Sequence, residues 1–387
     1  MSSFTQEEYN RYNRHIILQE VGEIGQLRLK NAKVLVVGAG GLGCPALLYL
    51  ASVGVGTIGI IDGDVVDESN LQRQILYTSD DIGKPKASTS ANKLHKQNPY
   101  VTITQYNTHL TNSNAVDIIP NFDIIIDGTD NFATRYLIND ACVLCEKPFI
   151  HGSLHKFDGH VAVLNHLVDG ESKRSATYRC IFPFAPQSGT VQNCSEIGVL
   201  GVMPGIIGTL QATEAIKFIL GLGELHTDSL LLVNALTMNF DKIAITRNEK
   251  NWGNIPRTLH EFSKMDYQYL CGEISIDSVK EINSVELLSL LAKKEDIQLI
   301  DIRTINEVPS LESIFPFYIK RDTIPLNSLV DSIEIFDKAT KTILICQSGN
   351  RSLKVVRHLQ DEHGITNIYS LKGGIIELLN TISNYNE

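Results

Sequence analysis

Little in this sequence of 387 residues suits an exported or membrane-bound protein. Its first residues, Met1-Ser2-Ser3-Phe4-Thr5-Gln6-Glu7-Glu8, lack both a basic stretch and an apolar stretch, so nothing marks the chain for secretion and the expected location is the cytoplasm. The longest apolar run, Val199 to Leu222, is broken by Gln211, Glu214, Lys217 and several glycines, which suits a buried helix rather than a bilayer span. A basic excess is also missing. Forty-four acidic against thirty-four basic side chains give a formal charge of -10, which argues against an extended nucleic-acid footprint and against an anionic membrane surface. The seven cysteines (Cys44, Cys142, Cys145, Cys180, Cys194, Cys271 and Cys346) are odd in number and scattered, a poor disulfide framework for a reducing compartment. A cysteine that matters here is therefore expected to act as a nucleophile. Internal repeats and low-complexity tracts are absent.

What is present divides in two. The length suits one domain of about 250 residues and another of about 110, expected at 1–248 and 278–387 with a linker of mixed polarity, 249–277, between them. After a polar helical lead-in, the run Val34-Leu35-Val36-Val37 stops at Gly38, as a strand buried on both faces would. A glycine-rich turn, a helix from about Pro45 to Val53 and a strand Thr57 to Ile61 ending at Asp62 complete a βαβ unit. Ile124-Ile125-Ile126 runs into Asp127-Gly128-Thr129-Asp130, and Phe149-Ile150 into His151-Gly152, so polar loops are expected where strands end. The pattern predicts an α/β fold: a Rossmann-like doubly wound sheet with its ligand at the carboxyl ends of the strands. The tail alternates again. Val285–Ala292 and Leu353–Gln360 suit helices, and Gln298–Ile302 and Thr342–Ile345 suit strands, giving a second, smaller α/β domain.

Gly38-Ala39-Gly40-Gly41-Leu42-Gly43 between strand and helix allows a tight turn and lets backbone N–H groups approach phosphate. Asp62, nineteen residues after Gly43, fits a carboxylate accepting from ribose hydroxyls. A dinucleotide oxidoreductase would show the same pair of features. The next segment, Ser69-Asn70-Leu71-Gln72-Arg73-Gln74, and Lys86 in Gly83-Lys84-Pro85-Lys86 point instead to triphosphate chemistry. Attack on an α-phosphate concentrates charge on departing pyrophosphate, which two cations and a carboxylate-held Mg²⁺, with Asp130 the natural ligand, would offset. Taken singly, Arg73 and Lys86 suit solvated surface charges and Asp130 suits a helix N-cap.

Together, Arg11-Tyr12-Asn13-Arg14-His15, the Gly38–Gly43 turn, Ser69–Gln74, Lys86 and Asp127-Gly128-Thr129-Asp130-Asn131 resemble the MoeB/ThiF adenylyltransferases, relatives of the ubiquitin-activating enzymes, from about residue 8 to residue 248. The resemblance implies that Gly41, Asp62, Ser69, Asn70, Arg73, Lys86, Asp130 and Asn131 contact ATP or its metal. Gly38, Gly40 and Gly43 of the turn and Leu71 and Gln72 of the segment are the further binding positions. It also implies a homodimer in which Arg14 reaches across to the phosphates, and a ubiquitin-like sulfur carrier ending in Gly-Gly as substrate. Cys194 matches a position where relatives place a cysteine beside the adenylated tail, with a small buried hydrophobe as the alternative reading. The family's two Cys-x-x-Cys pairs for structural zinc are degraded here. Thr177-Tyr178-Arg179-Cys180 and Gln268-Tyr269-Leu270-Cys271 each keep one thiol, so no zinc is expected. Cys142-Val143-Leu144-Cys145 falls in an apparent buried helix and reads as core.

From about 278 to 384 the chain resembles a rhodanese, through Leu299-Ile300-Asp301-Ile302-Arg303, Ile324-Pro325-Leu326, Leu371-Lys372-Gly373-Gly374 and the loop Cys346-Gln347-Ser348-Gly349-Asn350-Arg351-Ser352. Backbone N–H groups and a helix N-terminus around Cys346 would stabilise an anionic persulfide. Four residues separate Cys346 from Arg351, one fewer than in phosphatases of this architecture, so the loop favours sulfur over phosphate. The expected chemistry is adenylation of the carrier followed by sulfur transfer from Cys346, which a donor such as a cysteine desulfurase would load. The rivals are an NAD-dependent oxidoreductase fused to a sulfurtransferase and a non-catalytic docking module.

Overall fold

The computed structural model describes residues 4–168, 173–185, 198–271, 280–304, 307–315, 321–325, 336 and 340–385. The chain forms two compact units, Met1–Gly272 and Glu273–Glu387.

In the first unit, helices α1 (Gln6–Ile16) and α2 (Gly22–Asn31) precede strand β1 (Lys33–Val37), helix α3 (Gly43–Ser52) and strand β2 (Thr57–Ile61). There follow α4 (Lys86–Gln97), β3 (Thr102–Tyr106), α5 (Asn112–Ile118), β4 (Ile124–Asp127), α6 (Phe132–Leu144), β5 (Phe149–His155) and β6 (Asp158–Leu164). The short helix α7 (Tyr178–Ile181), the helix Val202–Leu220, β7 (Ser229–Asn234) and β8 (Asn239–Ala244) complete the sheet and its cover. The strand order is β3-β2-β1-β4-β5-β6-β7-β8. β3 through β5 pair in parallel and β6 through β8 extend them antiparallel.

Strand alternation explains why helices cover both faces. Val34 and Val36 enter one apolar cluster with Leu47 and Leu50 of α3 and Ile207 of the helix Val202–Leu220. Leu35 and Val37 enter another, with Ile138 and Ala141 of α6. Every one of these side chains is nearly or wholly inaccessible to water, the valines, leucines and isoleucines contributing about 1.5–3 kcal/mol each of transfer free energy. Among the described residues no helix is long and apolar enough to cross a membrane.

Two expectations need correction. The segment 249–277 was expected to be a linker, but its described part belongs to the first unit. Short helices at Leu259–Ser263 and Tyr267–Leu270 bury Phe262, Tyr267 and Cys271 in the α6 cluster, and the Tyr267 hydroxyl donates to Asp140 (2.9 Å). The boundary of the compact units therefore lies at 272/273, with residues 272–279 outside the described set. His151-Gly152, read as loop, lies inside β5, where pairing continues to His155. Cys142 is buried on α6, as its helical reading predicts.

The second unit contains β9 (Glu281–Ile282), β10 (Ile297–Asp301), β11 (Arg321–Thr323), β12 (Lys341–Ile345) and β13 (Ile368–Leu371), all parallel in the order β11-β10-β12-β13-β9. The helices Ser284–Ala292, Asn350–His363 and Gly374–Tyr385 accompany this sheet.

Candidate active site

The first site forms where β1, β2 and β4 end. Gly38 takes φ +91°, and a side chain there would press on the Gly128 carbonyl (2.9 Å), so the β1 and β4 loops close on each other only through glycine. Around the resulting pocket stand Gly38, Gly40, Gly41, Asp62, Arg73, Lys86, Asp130 and Asn131, joined by His109 and Leu110 from beyond β3. Asp62 is already at work in the backbone: its carboxylate accepts from the N–H of Ala39 (2.7 Å) and of Asp64 (2.8 Å), which pins the glycine turn. Burial raises the pKa of Asp62, against those two hydrogen bonds and the charge of Lys86.

The cations are held loosely. Arg73 donates to the Ser69 carbonyl (3.0 Å) and makes no ion pair among the described residues. Lys86, itself buried, pairs with Asp64 (3.0 Å), a carboxylate more than half exposed. Asp130 stands exposed at the pocket wall. It is not the N-cap of α6, the alternative the sequence allowed. Asn131 caps that helix by accepting from Thr134 N–H (2.9 Å), leaving the Asp130 carboxylate to the pocket.

Other site residues expected from the sequence lie outside the pocket lining. Ser69 donates to Asp67 (2.6 Å), and Asn70 to Ser69 (3.3 Å). Leu71 packs against the core, Gln72 lies against Gly201, and Gly43 sits under the turn, where a side chain would strike the Gly38 carbonyl. Arg14 is exposed on α1, away from this pocket. Cys194 lies outside the described residues.

Sequence reading missed what lies beneath the pocket. Asp127 accepts from Thr129 N–H (3.1 Å), Thr129 Oγ1 (2.6 Å) and His151 Nδ1 (3.0 Å), while His151 Nε2 meets His160 Nε2 at 3.1 Å. Burial pushes the Asp127 carboxyl up, yet the hydrogen bond from His151 and the charge of Arg135 outweigh it and hold it low. Burial likewise lowers His151 and, further, His160, so both rings are neutral. With Asp127 ionised, His151 carries its hydrogen on Nδ1 and accepts at Nε2 from His160. This chain braces the Thr129-Asp130 turn from below.

At the former Cys-x-x-Cys positions, the Cys180 sulfur meets the Thr177 hydroxyl (3.4 Å) and accepts from the N–H of Asn248 (3.3 Å). Cys271 is buried in the α6 cluster. A hydroxyl and an amide in place of thiolates do not fit a closed zinc site.

The second site follows β12. Cys346 is wholly buried, and its sulfur accepts from the N–H of Ser352 (3.3 Å) in the first turn of the helix Asn350–His363. The Ser352 hydroxyl, 3.4 Å from the sulfur, also contacts Gly349 O (3.0 Å) and the Ser370 hydroxyl (2.8 Å). Gly349, at φ +87°, turns the loop so that these groups face inward. Arg303 is sealed in by Asp301 and spans to Gln347 Oε1 (3.1 Å). Arg351 pairs with Glu307 through two hydrogen bonds of 2.9 and 2.6 Å. Glu307 was not singled out from the sequence.

A glycine-floored pocket in one unit and a cysteine-bearing loop at a helix N-terminus in the other fit an enzyme of nucleotidyl and sulfur transfer. The ThiF family matches residues 12–254 and the rhodanese-like domain residues 284–380; the chain belongs to the ThiF family. It is 39% identical over 383 residues to the probable adenylyltransferase/sulfurtransferase MoeZ of Mycobacterium tuberculosis, covering 97% of this chain and 94% of the relative. It is 46% identical over 272 residues to the sulfur carrier protein adenylyltransferase of Thermus thermophilus, covering 70% of this chain and 98% of the relative. Among solved structures, E. coli MccB superposes with a TM-score of 0.54 at 25% identity, over 62% of this chain and 71% of that one.

Proposed function

We propose that this protein uses ATP to adenylate the C-terminal carboxylate of a ubiquitin-like sulfur carrier ending in Gly-Gly, then converts it to a thiocarboxylate with sulfur from Cys346. The observation that carries the reading is the convergence of Arg73, Lys86 and the exposed Asp130 on the pocket floored by the glycine turn. Hydride transfer needs no such set, whereas leaving pyrophosphate does. Asp130, a hard oxygen donor without a partner among the described residues, would hold a Mg²⁺ ion that supplies positive charge to the phosphates. Gly38 and its neighbours orient the triphosphate, Asp62 accepts from the ribose, and Arg73 and Lys86 take up the charge of pyrophosphate as the carrier carboxylate displaces it.

In the second half-reaction the outer sulfur of a Cys346 persulfide attacks the acyl carbon and AMP leaves. A second thiol, for which Cys194 is our candidate, then attacks the Cys346 sulfur of the acyl disulfide and releases the thiocarboxylate. A cysteine desulfurase is the fitting sulfur donor. We further propose a homodimer, supported by the exposed apolar groove of Leu48, Tyr49, Ile75, Val202 and Ile206, with Arg14 serving the partner's phosphates. Incubation with magnesium ATP and a Gly-Gly-ended carrier should give a carrier heavier by AMP on intact mass analysis. A carrier of unchanged mass, with no pyrophosphate released, would end this reading.

A further inference from the structure

Both arginines of the sulfur site are already matched by carboxylates. Arg303 is closed off by Asp301 in the interior, and Arg351, at the end of the Cys346 loop, is gripped through both outer nitrogens by Glu307. Glu307 is itself held in place: its Oε1 accepts from the N–H (3.0 Å) and hydroxyl (3.3 Å) of Thr304. The hydrogen bonds from Arg351 depress its pKa to about 2, so it stays ionised across the working range. Among the described residues, the donor that serves the sulfur itself is the Ser352 N–H at the helix N-terminus. That suits a single negative charge on one added sulfur and offers little to a small dianion, which would have to displace a two-point carboxylate from Arg351.

We propose that Glu307 is a specificity-determining residue of the sulfur site, which withholds Arg351 from dianionic donors such as thiosulfate and so commits Cys346 to donors whose sulfur rides on a thiol, R–S–SH. In that loading step the Cys346 thiolate attacks the outer sulfur. The new S–S bond forms, the donor's own S–S bond breaks, and RS⁻ departs with the electron pair of that bond while the proton stays on the transferred sulfur. The inference rests on Cys346 being the sulfur-carrying nucleophile.

The test uses the full-length protein and follows thiocyanate formation from cyanide, with thiosulfate or glutathione persulfide as donor. Wild type should favour the persulfide in kcat/KM. Glu307→Gln should raise kcat/KM for thiosulfate about tenfold, mainly through KM, and make turnover sensitive to inorganic sulfate, because a competing carboxylate has been removed. Persulfide turnover should stay within about twofold, and Glu307→Asp, which keeps the charge, should keep the wild-type preference. A wild type that uses thiosulfate as well as persulfide overturns the proposal, even if the variants do not fold. So does a Glu307→Gln protein in which both donors fall together or neither changes. Wild type inert with both donors overturns the reading of Cys346 as well.

Discussion

The two sites handle positive charge in opposite ways. Around the nucleotide pocket, Arg73 has no carboxylate among the described residues and Lys86 leans on an exposed one, so both can turn to an incoming polyanion at little cost. Around Cys346, Asp301 and Glu307 consume both guanidinium groups, and the stabilising dipoles come from backbone. The difference follows the chemistry. Expulsion of pyrophosphate develops several charges over several atoms and needs mobile cations, whereas a persulfide carries one charge on one atom and needs a shaped cradle.

The sharpest way to break the comparison is to remove the nucleophile. Cys346→Ala should reduce sulfur transfer on the order of 10³-fold or more, as deletion of an attacking group does, while carrier-dependent exchange of pyrophosphate into ATP persists. Loss of both activities would mean that the sites are not chemically separable. The converse experiment is smaller in effect. Arg73→Ala or Asp130→Ala should lower the exchange rate about 10²–10³-fold, the scale on which lost electrostatic stabilisation of a transition state is felt, and leave transfer of sulfur to cyanide near wild type. An exchange rate within a factor of about three of wild type would show that the pocket cations are surface charges after all.

Much of this layout is legible in the sequence because the groups concerned are local. The glycine turn ends β1, Asp62 ends β2, Asp130 follows β4 and Cys346 follows β12, so a strand-terminus rule finds them all. What the sequence conceals is pairing at a distance. Glu307 and Arg351 are 44 residues apart, and nothing near either one announces the other. His151 was read as loop because a polar residue followed two apolar ones. Its partners, Asp127 and His160, come from neighbouring strands and become visible only once β4, β5 and β6 are in register. The segment after Arg247 misled for another reason: helices of five and four residues are too short to display a period, so the anchoring aromatics Phe262 and Tyr267 looked incidental.

The mildest difference between the units should appear in their response to acid. In the native first unit His151 and His160 are neutral, lowered chiefly by burial, whereas in the unfolded chain each takes a proton as pH falls through about 6.5. The unfolded state then binds more protons than the native one, so stability must decline as pH drops below that value, with a slope bounded by about two protons. Asp127 adds loss of the same sign further down, since a carboxylate held low in the fold gives up its contribution only as pH falls toward its native pKa. Glu307 in the second unit behaves like Asp127: its contribution is complete above about 4.5 and is lost as pH falls toward the value of about 2 set by its pairing with Arg351. The chain's one tryptophan, Trp252, stacks on Arg247 in the first unit and reports on that unit alone. Urea midpoints from its fluorescence should therefore fall between pH 6.5 and 5 in wild type, and fall less steeply by about one proton in His160→Gln. A midpoint that stays level across that range would mean that the imidazoles beneath the nucleotide pocket are already charged in the native protein, and the bracing of the Asp130 turn by neutral rings would have to be abandoned.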